Sequence, residues 1–166
     1  MNNLINWLRG FYPEPVTVNV SERVRASIGS FFGIVLTSVV TYWVVGSTTA
    51  LPLLMAPIGA SAVLLFAVPA SPLAQPWSII GGNLVAAIVG VTFAIWIQDA
   101  VIAAAFALSI SIAIMFALRC LHPPSGAVAL TAVLGGSAIH ELGYQFVIFP
   151  VGINSLLLLL VALVYN

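Results

Sequence analysis

Apolar residues fill six stretches of this chain, residues 26–45, 51–68, 77–97, 100–118, 123–139 and 144–165, with short polar links between them. The links read "GSTTA", "PASPLAQP", "QD", "RCLH" and "HELG", too brief to hold a soluble domain. A hydrocarbon core about 30 Å thick takes about 20 helical residues to cross, with about 17 as the lower limit. Four runs are long enough. The second and fifth are short, and prolines interrupt or open them. For those two a thin span, a broken helix and a re-entrant loop all remain open.

Composition narrows the class. The chain is 62% hydrophobic and 5% charged, with a mean hydropathy of +1.20. Soluble domains carry about 25% charged residues, so this chain lacks the polar surface that water requires and reads as an integral membrane protein. Its formal net charge is zero, which gives no electrostatic case for nucleic acid. A lone Cys120 excludes an intrachain disulfide. Residues 1–22 lack the basic patch and apolar core of a cleavable signal. Leu4, Ile5, Trp7, Leu8, Phe11 and Tyr12 recur there at near-helical spacing, as in a segment lying at the membrane interface.

Arginines set the orientation, because Lys and Arg near span ends stay cytoplasmic. Arg9, Arg23 and Arg25 precede the first run, which puts the N-terminus inside. Six crossings also put the Arg119 link inside and the Asp99 and Glu141 links outside. Four crossings would put Arg119 outside. The charge bias therefore favours six spans, with both termini cytoplasmic, in the cell membrane.

The two halves resemble each other. "PIGASAVL" from Pro57 and "PSGAVALT" from Pro124 share Pro, Gly, Ala and Ala in register, 67 positions apart. "GGN" at residues 81–83 resembles "GIN" at 152–154, and Trp77 matches Tyr144. Each half then holds three runs, and an odd number of crossings turns the second half upside down relative to the first. The expected fold is an all-α integral membrane protein of about six transmembrane segments, in two three-helix repeats of inverted topology. Residues 1–22 form the N-terminal segment and residues 23–166 one transmembrane domain, with repeats of about 23–98 and 99–166.

Proline removes a donor and clashes with the preceding turn, so helices are expected to break at Pro57 and at Pro123–Pro124 and to restart there. Two helix N-termini would then approach each other near mid-membrane, each with unpaired amides and a partial positive charge. Gly59, Ala60 and Ser61 on one side, and Ser125, Gly126 and Ala127 on the other, would cradle a small anion. Packing of small residues and a simple kink are the competing readings of the same residues. His122 changes charge near neutral pH and can accept a proton or hold an anion, whereas Arg119 fits a cytoplasmic anchor. No metal cluster or enzymatic motif is present in the sequence, so neither a cofactor nor catalysis is expected.

"LHPPSGAVAL" resembles the HPP family of integral membrane proteins, named for the tripeptide found here as His122, Pro123 and Pro124. The likeness extends to "SERVRASIGSFFG", to "LLMAPIGASAVLLFAVP" with "SPLAQPW", and to "GGN". Family members are regarded as transporters and are often described with four spans. Cyanobacterial and chloroplast members are linked to nitrite. The resemblance therefore implies a transporter of a small inorganic anion, most simply nitrite. Its motifs bring His122, Pro123 and Pro124 into the site, together with Pro57, Gly59, Ala60 and Ser61, and Asn83 with its counterpart Asn154. Protons are a candidate co-substrate, and a homo-oligomer is expected. A passive anion channel and a non-transporting sensor or scaffold subunit are the alternatives.

Overall fold

The computed structural model describes residues 7, 8, 10, 11, 18–45 and 51–166. Of the amphipathic run near the N-terminus, Leu4, Ile5 and Tyr12 lie outside the described residues, as do Arg9 and the 46–50 link. All regular structure among the described residues is helical. We label α1 Val20–Val45, α2 Leu51–Ala67, α3 Pro76–Trp96, α4 Ala100–Ala117, α5 Ser125–Leu134 and α6 Ser137–His140. The last helix, α7, runs over Val147–Tyr165. A short 3₁₀ turn, Pro72–Ala74, precedes α3. By length and apolarity α1, α3, α4 and α7 can each cross a bilayer, and α2 and α5 are the two shorter apolar helices. The expected all-helical class holds; the first helix starts six residues before the first apolar run, and the fifth run is divided between α5 and α6.

The expected break at Pro57 is absent. α2 passes through Pro57 as one helix of 17 residues. In lipid, unwinding a helix leaves several backbone groups without partners at several kcal/mol each, whereas an internal proline removes a single bond. The chain keeps the helix. The break at Pro123–Pro124 does occur: α4 ends at Ala117 and α5 starts at Ser125. A second discontinuity, not anticipated from the sequence, lies in α7. Its first six residues form a π-helical turn in which Phe149 leaves helical geometry (φ −125°, ψ 115°) just before Pro150.

α1 and α2 run antiparallel. The backbones close at Gly29 and Gly33, a GxxxG pair whose missing side chains admit the Phe66 ring; a Cβ on Gly29 would stand 2.5 Å from it. At the same end Arg25 donates to the Asn166 carbonyl (3.1 Å), and Asn166 donates to the Leu65 carbonyl (3.0 Å). The start of α1, the end of α2 and the end of α7 therefore share one end of the bundle. Trp77 joins the start of α3 to the end of α4 through its indole N–H and the Leu118 carbonyl (3.0 Å).

α3 is the central helix. It packs against α4, α5 and α7, while α7 packs in turn against α1 and α2. One apolar cluster gathers Ala86, Ala87, Val91, Ala103, Ala107, Ala129 and Ala132 with Phe146 and Val151. A second gathers Ile58, Ala62, Leu65, Phe66 and Ile79 with Leu158 and Ala162. Small residues dominate the α3 seams because helices in lipid associate through close van der Waals contact.

The tightest approach lies at Gly82. A Cβ there would sit 2.8 Å from each of the Cys120 carbonyl oxygen, His122 Cβ and Ser125 Oγ. Gly59, by contrast, has nothing within 4 Å of the same position. Gly82→Ala is therefore expected to destabilise the protein by about 1–3 kcal/mol through overpacking. Gly59→Ala is expected to leave stability unchanged or raise it by up to about 1 kcal/mol. Thermal unfolding of the two variants in detergent checks the contrast.

Candidate functional site, a buried histidine clamp

The turn between α4 and α5 is built to hold one side chain inward. Arg119 takes a left-handed backbone conformation (φ 55°), and Cys120 N–H reaches back to the Met115 carbonyl (2.9 Å), which closes the end of α4. Arg119 itself is exposed, consistent with an end-of-helix anchor, while Cys120 is buried against Gly81. Beyond them the chain turns inward, and His122 is fully buried.

Both nitrogens of His122 are engaged. Nδ1 lies 2.8 Å from the Leu73 carbonyl oxygen and Nε2 lies 2.9 Å from Ser61 Oγ. A carbonyl only accepts, so Nδ1 carries the proton. The neutral ring then offers a lone pair at Nε2, and the Ser61 hydroxyl donates to it. That hydroxyl also lies 3.1 Å from the Pro57 carbonyl oxygen. Its single proton serves one acceptor at a time. Ser61 stands six residues before the end of α2 and Leu73 in the turn beyond it, so the contact is buried toward the end of the bundle that carries Arg119.

The sequence supplies the Leu73 acceptor by simple means. Ser71 caps the 3₁₀ turn by accepting from Leu73 N–H (3.2 Å), and Pro72 and Pro76 fix its two sides. Pro76, three residues after Leu73, has no N–H to offer that carbonyl. Gly81 and Gly82 then allow the 120–125 turn to lie directly on α3.

A second cluster begins three residues after His122. Ser125 Oγ donates to Asn83 Oδ1 (2.7 Å), and Asn83 Nδ2 donates to Ser155 Oγ (2.8 Å). Ser155 passes its own proton to the Val151 carbonyl (2.8 Å), which fixes the orientation of the Asn83 amide. Asn83, Ser125 and Ser155 are each at most 1% exposed. On the far side of α7, Asn154 Nδ2 donates to Thr41 Oγ1 (2.6 Å), and Asn154 Oδ1 is buried with no hydrogen-bond partner among the described residues.

A sequence model of the HPP transmembrane region matches residues 15–166. The chain belongs to the HPP family. Two curated relatives of this HPP chain from Dictyostelium discoideum, each described only as a transmembrane protein, are similar to it. One is 35% identical over 162 residues and the other 36% over 165, covering 95% and 96% of the chain. The HPP chain spans about half the length of these relatives, 51% and 57%. No solved structure matches it.

The structure joins some of the expected site residues and separates others. The HPP tripeptide divides its roles: His122 turns inward, Pro123 is exposed, and the buried Pro124 caps α5. Ser61 meets His122, and Ser125 meets Asn83. Asn154 pairs instead with Thr41.

The expected cradle of free amides is not formed. Gly59 and Ala60 lie inside the continuous α2, so their amides do not form a helix N-terminus. Ser125, Gly126 and Ala127 donate their N–H groups to the carbonyls of His122, Pro123 and Pro124 at 2.9, 3.1 and 3.0 Å. Tight turns of this kind satisfy helix-start amides without a ligand. The polar centre is thus made of side chains. Sequence reasoning missed Thr41, Leu73 and Ser155. Thr37 and Thr41, one turn apart in an apolar helix, and Ser155 beside Asn154 were the available signals. Leu73, acting through its carbonyl, gave none.

Asn83→Ala removes one acceptor and one donor from two buried serines. Loss of about 1–2 kcal/mol is expected, since buried bonds in membrane helices are worth about 0.6 kcal/mol on average and orphaned partners add to that. Ser125→Ala, which strands only Asn83 Oδ1, should cost less. Unfolding of both variants in detergent tests the order.

Proposed function

We propose that this protein transports a small inorganic anion across the cell membrane, with His122 at the binding centre. Nitrite is the substrate that the likeness to characterised HPP members suggests. One observation carries the reading: a fully buried histidine and a buried serine from opposite halves of the chain face each other inside an apolar bundle. Buried ionisable groups in membrane proteins are costly, and they commonly mark substrate or ion pathways.

The packing pattern supports six crossings arranged as two inverted repeats. α3 packs on α4 and α5, and α7 packs on α1 and α2, so each half's third helix grips the first two of the other. Such an exchange is what a two-fold axis in the membrane plane produces. Arg23 and Arg25 fall at the same end as Arg119, through Arg25–Asn166, Asn166–Leu65 and Trp77–Leu118, which supports cytoplasmic termini. Exposed apolar side chains along α1, among them Phe31, Phe32, Val35 and Val39, leave room for lipid or a second copy. A homo-oligomer belongs to this reading.

The site reads as closed. His122, Ser61, Asn83 and Ser125 all have protein partners, so substrate would enter as the 120–125 turn parts from α2 or α3. In liposomes carrying the purified protein, nitrite entry should exceed that into protein-free vesicles. His122→Ala should lower the protein-dependent rate by about tenfold or more, equivalent to about 1.4 kcal/mol. Equal entry with and without protein contradicts the transport reading.

A further inference from the structure

The elements packed around His122 are almost without charge. α2, the Pro72–Ala74 turn, α3, α4 and α5 carry no Asp, Glu, Lys or Arg. The turn that bears His122 contributes exposed Arg119, of the same sign as an imidazolium, and the Cys120 thiol. The described carboxylates are all exposed: Glu22 at the start of α1, Asp99 at the start of α4, where its side chain caps Val101 and Ile102, and Glu141 just after α6. Glu14 lies outside the described residues. The other histidine, His140, ends α6, with Nε2 against the Val133 carbonyl (2.9 Å).

The hydrogen-bond geometry nevertheless accommodates a second proton. With the ring neutral, Ser61 donates to Nε2. With the ring protonated, Nε2–H donates to Ser61 Oγ, and the Ser61 hydroxyl turns to the Pro57 carbonyl already 3.1 Å away. Nδ1–H stays on Leu73 in both states. No heavy atom need move, and no donor is left unpaired. The site therefore has hydrogen-bond places for a proton and, among the described residues, no charge to balance it. A lone buried cation is strongly disfavoured unless a counter-charge accompanies it.

From this we propose that His122 makes the protein a one-to-one proton–anion symporter, with the transported anion as the only counter-charge to the imidazolium. The proposal rests on the transport reading above and adds its coupling. A proton from the aqueous phase binds Nε2 as the anion arrives, the Ser61 hydroxyl turns to Pro57, and anion and proton leave together on the other side. The loaded and empty sites are both electrically neutral. Net movement therefore carries no charge across the membrane. The roles of Ser61 and His122 differ: His122 holds the proton, and Ser61 is a positioning residue that stabilises the ring in either state.

The test uses the full chain in liposomes, with nitrite, nitrate and chloride as probes and protein-free vesicles as the reference. Nitrous acid crosses bilayers unaided, so the two strong-acid anions separate carrier flux from leak. The expected result is protein-dependent anion entry driven by an inside-alkaline pH gradient. One proton should enter per anion, with no response to a potassium-diffusion potential. Entry that follows the membrane potential and ignores the pH gradient overturns the coupling while leaving transport intact. No protein-dependent entry of any probe overturns transport and coupling together.

Two variants assign the proton. His122→Gln keeps a donor and an acceptor but cannot titrate, and should lose gradient-driven accumulation. Ser61→Ala should keep one-to-one coupling but shift its pH profile to lower pH by up to about one unit, because the charged hydrogen bond it loses is worth more than the neutral one. Unshifted coupling in both variants places the proton elsewhere and overturns the assignment.

Discussion

A histidine ring buried in an apolar bundle must find partners for both of its nitrogens, and that requirement organises the centre of this protein. Water is not at hand to satisfy an unmatched nitrogen, and a lost partner in such surroundings costs more than at a surface. Leu73 supplies one acceptor and Ser61 the other contact, at 2.8 and 2.9 Å. These two partners come from α2 and from the turn that follows it, while His122 comes from the opposite half of the chain. The ring thus ties together three elements that apolar packing alone would leave free to slide.

Several sequence features become intelligible as means to that end. The glycines of "GGN" remove the side chains that would hold the 120–125 turn away from α3. Pro76 leaves the Leu73 carbonyl without a local partner. Arg119 takes the left-handed position that ends α4 and stays outside, so that the chain can turn inward two residues later. Asn83 then fixes the beginning of α5 through Ser125, and the position of α7 through Ser155. Each bond is modest. Together they define one register for the two halves.

How far the sequence disclosed this depends on which residues are considered. The apolar runs, and His122, Ser61, Asn83 and Ser125 as residues to watch, were legible because hydropathy and rare polar residues stand out against an apolar chain; the structure buries these four and hydrogen-bonds them in two clusters. The anion cradle expected from the sequence requires a break at Pro57 like the one before α5, and α2 has none. One proline in the middle of a helix costs a single bond, whereas two in succession after a polar turn exclude the helix altogether. The kink at Phe149 was missed for a related reason: Pro150 sits among residues as apolar as those around Pro57. Leu73 acts through its backbone, which no side-chain pattern records.

The proposed coupling depends on the state of one ring, and nitrogen-15 NMR of the protein labelled at histidine observes it directly. With His140→Gln to remove the second signal, the anion-free protein near neutral pH should show His122 protonated at Nδ1 and bare at Nε2. Saturating anion should add a proton at Nε2 without removing the one at Nδ1. A bare Nδ1 in the resting protein would contradict the Leu73 contact, and with it the histidine clamp and the proton coupling proposed for it.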